Sequence, residues 1–190
     1  AAGAGQPGPR RARGACGAPS PGTARRQVPA LLRRIPWRRG TVNADLGGGP
    51  WPDATRWLAR RGVQNVVVDP GWQSAAKVAA ARARVGGGQA HTVTLANVLN
   101  VVPTAAGRRE LLALAADALA PGGVAYVGVY EGDRGGVGGA TRDGWQAHRP
   151  LADYADELRA FFGDVRRVGG RLEGRLPRRV PVPPLVCAAR

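Results

Sequence analysis

Two aspartates stand 24 positions apart, each at the end of an apolar run. Asp45 closes TVNAD and leads into Gly47, Gly48 and Gly49, whereas Asp69 closes NVVVD and is followed by Pro70 and Gly71. Consecutive glycines let a backbone come close to a ligand, and a helix following them offers unpaired N–H groups. An acid at the end of the next strand can accept two hydrogen bonds from ribose hydroxyls. Seen singly, the glycine loop and Asp69 each read equally well as a turn. As a pair they favour a nucleoside-containing cofactor. A nicotinamide fingerprint would read G-x-G-x-x-G, whereas here the glycines are consecutive and an acid precedes them.

Further candidates follow at later strand ends. Asn97 and Asn100 close HTVTLANVLN, where an Asn either lines a pocket or makes a strand-end turn. Tyr130 and Glu131 close VAYVGVYE, and residues 131–150 then carry six glycines together with Trp145 and Gln146. This segment reads as a lid over 131–146, with Trp145 stacking on an acceptor and Gln146 hydrogen-bonding to it. The competing reading is a flexible loop whose tryptophan anchors it on the core. Glu131, Asp133 and His148 are the nearby candidates for a base, and none is singled out. The sequence contains no Ser-His-Asp set, metal-ligand cluster or phosphate-binding P-loop.

The elements that must position these residues alternate. Strands are expected at 41–47, 65–70, 91–97 and 124–132. Helices are expected at 53–62 with Asp53 as N-cap, at 74–88 with Ser74 as N-cap, and at 104–123. A helix over 151–163 puts Leu151, Tyr154, Leu158 and Phe161 on one face, and 165–176 reads as a hairpin around Gly169-Gly170. Such alternation predicts an α/β fold, a mostly parallel sheet with helices on both faces and a C-terminal hairpin. Ligands of such sheets bind at the carboxyl ends of the strands, where the candidates lie.

DLGGGPW, VVVDP, ANVLNVVP and LAPGGVAYVGVYEG, in this order, resemble the class I S-adenosylmethionine-dependent methyltransferases, and ANVLNVVP followed by VYEGD and GWQ resembles a small bacterial and phage group among them. The resemblance covers roughly 41–175. It implies a Rossmann-like sheet and S-adenosylmethionine as cofactor. The implied cofactor residues are Asp45, Gly47, Gly48, Gly49, Asp69 and Asn97, with Asn100, Tyr130, Glu131, Trp145 and Gln146 on the acceptor side. LAPGG corresponds to the loop before the fifth strand. The pattern departs from the family in three places. Trp51 stands where a third glycine is usual, only one strand lies between Asp69 and Pro103, and His91 is the nearest counterpart of the adenine-contacting acid. Asn97-Val98-Leu99-Asn100 also differs from the Asn-Pro-Pro-aromatic motif of DNA amino-methyltransferases, so that acceptor class does not carry over.

The net charge of +15 is uneven. Residues 1–40 hold nine arginines and no acid, 166–190 hold seven arginines and one acid, and 41–165 balance twelve against twelve. A skewed coding composition accounts for this, and non-specific nucleic-acid contact by the basic ends is the alternative. Residues 1–40 are expected to be a disordered Arg/Gly/Pro-rich head in which only 28–37 can pack, 41–176 the methyltransferase-like domain, and 177–190 a Pro-rich tail. The head also reads as a transit peptide poor in serine, and the absence of an apolar leader core favours the cytoplasm. Apolar runs such as 66–68 fall far short of the roughly 20 residues of a membrane span. Two distant cysteines exclude a disulfide scaffold. A chain with no methionine that opens on Ala1 reads as a fragment or processed product. The expected activity is methyl transfer to an unidentified small molecule or nucleic acid. A non-catalytic cofactor-binding module and a nucleic-acid-associated protein are the alternatives.

Overall fold

A computed structural model describes residues 27–141 and 144–180. Four apolar segments form the parallel strands β1 (Val42–Leu46), β2 (Gln64–Val68), β3 (Ala90–Ala96) and β4 (Leu119–Gly128). After β4 comes a separate antiparallel hairpin, β5 (Gly138–Thr141) and β6 (Gly144–Ala147). The strands β7 (Phe162–Val168) and β8 (Arg171–Pro177) turn at Gly169-Gly170 and add antiparallel to β4, so the main sheet runs β2-β1-β3-β4-β8-β7. Among the described residues this sheet has six strands, with a single strand between Asp69 and Pro103.

Helices cover both faces, as the alternation predicts. Ala44, Leu46, Val66, Val68, Val93 and Leu95 meet α3 (Ala75–Val85), α4 (Ala105–Ala118) and α5 (Ala155–Arg159) in one core. Fully buried leucines such as Leu112 and Leu158 would each cost about 2–5 kcal/mol on truncation to alanine. The opposite face packs Val124 and Tyr126 against α1 (Ala30–Arg33) and α2 (Asp53–Ala59). Ser74 accepts from Lys77 N–H and caps α3 as expected, and Thr104 accepts from Gly107 N–H and caps α4, a cap the sequence reading did not name.

Several boundaries differ from the sequence reading. Within the expected head, the 28–37 stretch does pack: Leu31, Leu32 and Ile35 are buried against the sheet ahead of β1. Residues 1–26 and 181–190, and with them most of the expected head and tail, lie outside the described residues. Pro52, not Asp53, is the N-cap of α2, with Asp53 its first helical residue. Proline suits a helix start because its missing N–H has no partner to lose there. Helix α4 ends at Ala118 and β4 begins at Leu119; between the pairs Ala90–Leu119 and Thr92–Val124 the residues 120–123 loop out of register, and Gly122 supplies a positive φ of 75°. The segment 151–163 is a 3-10 turn, Leu151–Tyr154, then α5, with Phe162 already in β7.

A candidate ligand cradle at the carboxyl edge

From β1 the chain goes to β2 on one side and then crosses to β3 on the other. The crevice between β1 and β3 at their carboxyl ends is therefore a topological switch point, where open α/β sheets hold ligands. Gly47–Gly49 and Asn97–Val98 lie at this point. Gly47 and Gly49 both have φ of 74°, a left-handed conformation that few other residues tolerate. The Gly47 N–H donates to Val68 O at 2.9 Å, which ties the loop to the end of β2. A Cβ at Gly47 would come within 2.7 Å of Val98, and one at Gly48 within 2.6 Å of the Asp45 carboxylate.

Asp69 completes the loop. Its Oδ2 accepts from the Gly49 N–H at 2.7 Å and its Oδ1 from the Gly71 N–H at 2.9 Å. Its own N–H donates to Gln73 Oε1, whose Nε2 donates back to Val67 O. Burial pushes the Asp69 carboxyl up from its usual range, against the opposing pull of the Gly49, Gly71 and Trp72 N–H groups. A carboxylate has about four lone-pair sites, so these N–H groups still leave capacity for a hydroxyl donor. Trp72, 36% exposed, follows on the same turn.

Asp45 occupies a different place. Only 3% exposed, it lies beneath the glycine loop and accepts from Thr94 Oγ1 at 2.9 Å and Asn65 Nδ2 at 3.3 Å. Burial pushes its carboxyl up too, opposed by those two hydrogen bonds. Asn43 extends the network, donating to Asn65 Oδ1 and Thr94 Oγ1 and accepting from Thr92 Oγ1. Asn65 also donates to Thr55 of α2. This buried polar layer joins three strands and a helix, and the sequence reading missed it apart from Asp45.

Asn97 has φ of 59° and its N–H donates to Gly128 O, so the strand-end turn accounts for the residue type; its side chain is exposed on the edge. Asn100 lies in the 3-10 turn Leu99–Val101, is 1% exposed, and its Oδ1 has no hydrogen-bond partner among the described residues. Strand β6 packs on this turn. Trp51 is 42% exposed instead of filling the loop as the usual third glycine position suggested. His91 sits at the opposite, amino end of β3, where its Nδ1 accepts from the Val42 N–H.

The expected lid is a hairpin, not a glycine coil. Trp145 is half-buried opposite Ala140, and its ring covers Gly138 so closely that a Cβ there would overlap it. Gln146 pairs with Gly139. Glu131 ties the two ends of the segment: its Oε1 accepts from the Leu151 N–H at 2.7 Å and its Oε2 from Arg134. The Leu151 N–H and the Arg134 charge hold its carboxyl below the usual range. Tyr130, 59% exposed, meets the His148 ring edge-on at 6.0 Å, and His148 Nδ1 lies 3.1 Å from Asp133 Oδ1.

No family model and no curated protein sequence match the chain. Solved structures do. A Burkholderia thailandensis 1,6-didemethyltoxoflavin-N1-methyltransferase with bound S-adenosylhomocysteine is 21% identical at a TM-score of 0.54, over 74% of this chain and 72% of that one. An O-methyltransferase family protein from Burkholderia thailandensis is 20% identical at 0.50, over 78% of this chain and 53% of that one. A T. thermophilus 16S rRNA methyltransferase is 22% identical at 0.44, over 86% of this chain and 43% of that one. The chain thus spans less than half of the ribosomal RNA enzyme's length. The fold is that of the class I S-adenosylmethionine-dependent methyltransferases. No described helix is long and apolar enough to cross a membrane.

Proposed function

We propose that the chain binds S-adenosylmethionine in the β1–β3 crevice and transfers its methyl group to an acceptor entering beside the β5–β6 hairpin. The observation that carries this reading is the Asp69 carboxylate, fixed by the Gly49 and Gly71 N–H groups at the switch point. The residues suit the cofactor: Asp69 retains acceptor capacity for a ribose diol, and the loop would lose its shape with a Cβ at Gly47. Trp72 offers a flat apolar face beside Asp69. Asp45 supports the loop from below, so its role runs through the glycines.

When bound, the cofactor supplies a sulfonium methyl whose leaving group is already activated. The protein's part is proximity, orientation and exclusion of water. The Asn100 Oδ1 is buried where β6 packs on its turn, so it would accept a hydrogen bond from an acceptor N–H or O–H once the β5–β6 hairpin moves aside. His148 is the base this reading favours: its Nδ1 lies 3.1 Å from Asp133 Oδ1, and the tautomer with Nδ1–H donating to that carboxylate carries its lone pair on Nε2. Calorimetric titration with S-adenosylmethionine and with NAD tests the reading. Binding of the first alone is expected, and binding of NAD alone would overturn it. If His148 is the base, His148→Gln should lower turnover while cofactor affinity stays.

A further inference from the structure

The amino end of the same sheet carries a second built feature. A groove of about 360 Å³ is lined by Arg33, Ile35, Trp37, Arg39, Trp57 and Arg61. Its two walls come from the segment before β1 and the end of α2, and backbone bonds hold them together: Gly40 N–H to Gly62 O at 2.8 Å and Gln64 N–H to Thr41 O at 2.9 Å. Trp37 is fixed by its Nε1–H, which donates to Leu32 O at 2.7 Å. The Arg61 guanidinium lies 3.5 Å from the centre of the Trp57 ring and donates to Trp57 O. Arg34, Arg38, Arg56 and Arg60 are exposed on the same two segments. Residues 28–41 and 54–64 contain no acid, and among the described residues none of these seven arginines makes an ion pair.

Seven like charges without counter-charges repel one another, and a polyanion would relieve that repulsion. The chemistry of the groove narrows the choice of polyanion. Arginine forks recognise phosphates in two-pronged fashion, while indole rings and guanidinium planes stack on flat bases. Duplexes keep their bases stacked inside and present mainly phosphates, whereas a single strand presents both phosphates and base faces. An acidic peptide would satisfy the charge but offer no flat ring to stack on Trp37 or on the Arg61 guanidinium laid over Trp57. We propose that this groove binds a single-stranded nucleic-acid segment. At about 3.3 Å per strand residue, the five residues of β1 put it roughly 15 Å from the glycine loop. It is therefore an anchoring site separate from the cradle, and it stands whether or not the chain transfers methyl groups.

The test is fluorescence anisotropy of the full chain with a labelled oligouridylate of about 12 nucleotides, a length within the range of single-strand sites. A base-paired RNA hairpin of equal phosphate number serves as comparison. The double variant Arg39→Glu, Arg61→Glu changes only exposed side chains and should weaken oligouridylate binding about tenfold or more, and Trp57→Ala should weaken it about tenfold. Arg166→Glu on β7 should leave it unchanged. Wild-type affinity in both groove variants would overturn the proposal. So would loss of binding in a full-length variant with Arg10, Arg11, Arg13, Arg25 and Arg26 changed to glutamine, because contact would then reside in the head. Equal affinity for the paired RNA would contradict the stacking role of the indoles.

Discussion

The glycine cradle at the ends of β1 and β2 and the hairpin after β4 share one edge of the sheet but are held in different ways. The cradle rests on a buried layer in which Asn43, Asp45, Asn65 and Thr94 satisfy one another, and its rim is fixed by Gly47 N–H to Val68 O and Gly49 N–H to Asp69. The hairpin has four short residue pairs, a glycine-rich strand, one tryptophan laid over Gly138, and Glu131 closing its base. Polar groups buried with partners are expensive to leave unpaired, so the cradle has one arrangement. Few buried apolar contacts and exposed backbone bonds put the hairpin at the low end of local stability. Under the proposed function, this difference would hold the cofactor in one geometry and leave the acceptor side able to move.

Breaking the cradle directly should have the largest effect. Gly47→Val would put a β-branched residue at positive φ and into Val98, costing about 1–3 kcal/mol in strain alone and reducing cofactor affinity about a hundredfold or more. Calorimetry and thermal unfolding check the two parts. Removing the foundation comes next: Asn43→Ala leaves Asn65 Oδ1 and Thr92 Oγ1 without their partner and should cost about 2–3 kcal/mol of stability in denaturant unfolding.

On the hairpin, Trp145→Ala should lower the melting temperature only modestly. It should raise the acceptor KM or lower turnover more than it changes cofactor affinity. Unfolding of that variant would show that the ring anchors the core and that the two regions are not mechanically distinct.

The smallest effect concerns the ion pairs behind the hairpin. Burial alone would raise the Glu157 carboxyl, but Arg108 and Arg149 outweigh it and hold the group below its ordinary value of 4.5. A lowered folded value means stability that is present above the unfolded value of 4.5 and lost as pH falls through the folded one. Glu157→Gln should therefore cost about 1 kcal/mol or less at neutral pH and flatten the acid limb of the stability profile below pH 4.5. Asp45 and Asp69 work in the opposite sense, because their raised values favour protonation in the folded chain.

The features legible in the sequence are those encoded locally. The glycine loop, the acid at the end of β2, the Ser74 cap and the β7–β8 turn each depend on a few adjacent residues. The Asn43 layer was not legible, because its partners lie 22 and 51 residues away and each Asn or Thr looks like an ordinary strand residue. Glycine content disguised the hairpin, since the ring that stabilises it comes from the other strand. The four residues looped out at 120–123 hid the start of β4. Gln73 carried a weak local signal, four residues after Asp69, and proved to hold that aspartate's N–H.

The central claim is that the Asp69 carboxylate, held by the glycine loop, receives the cofactor's ribose. Isothermal titration of S-adenosylhomocysteine into the wild-type chain and Asp69→Ala tests it most directly. The account predicts tight wild-type binding and a loss of about 1.5–3 kcal/mol in the variant, the value of charge-assisted hydrogen bonds, with folding retained by circular dichroism. Equal affinity in a folded Asp69→Ala would contradict it.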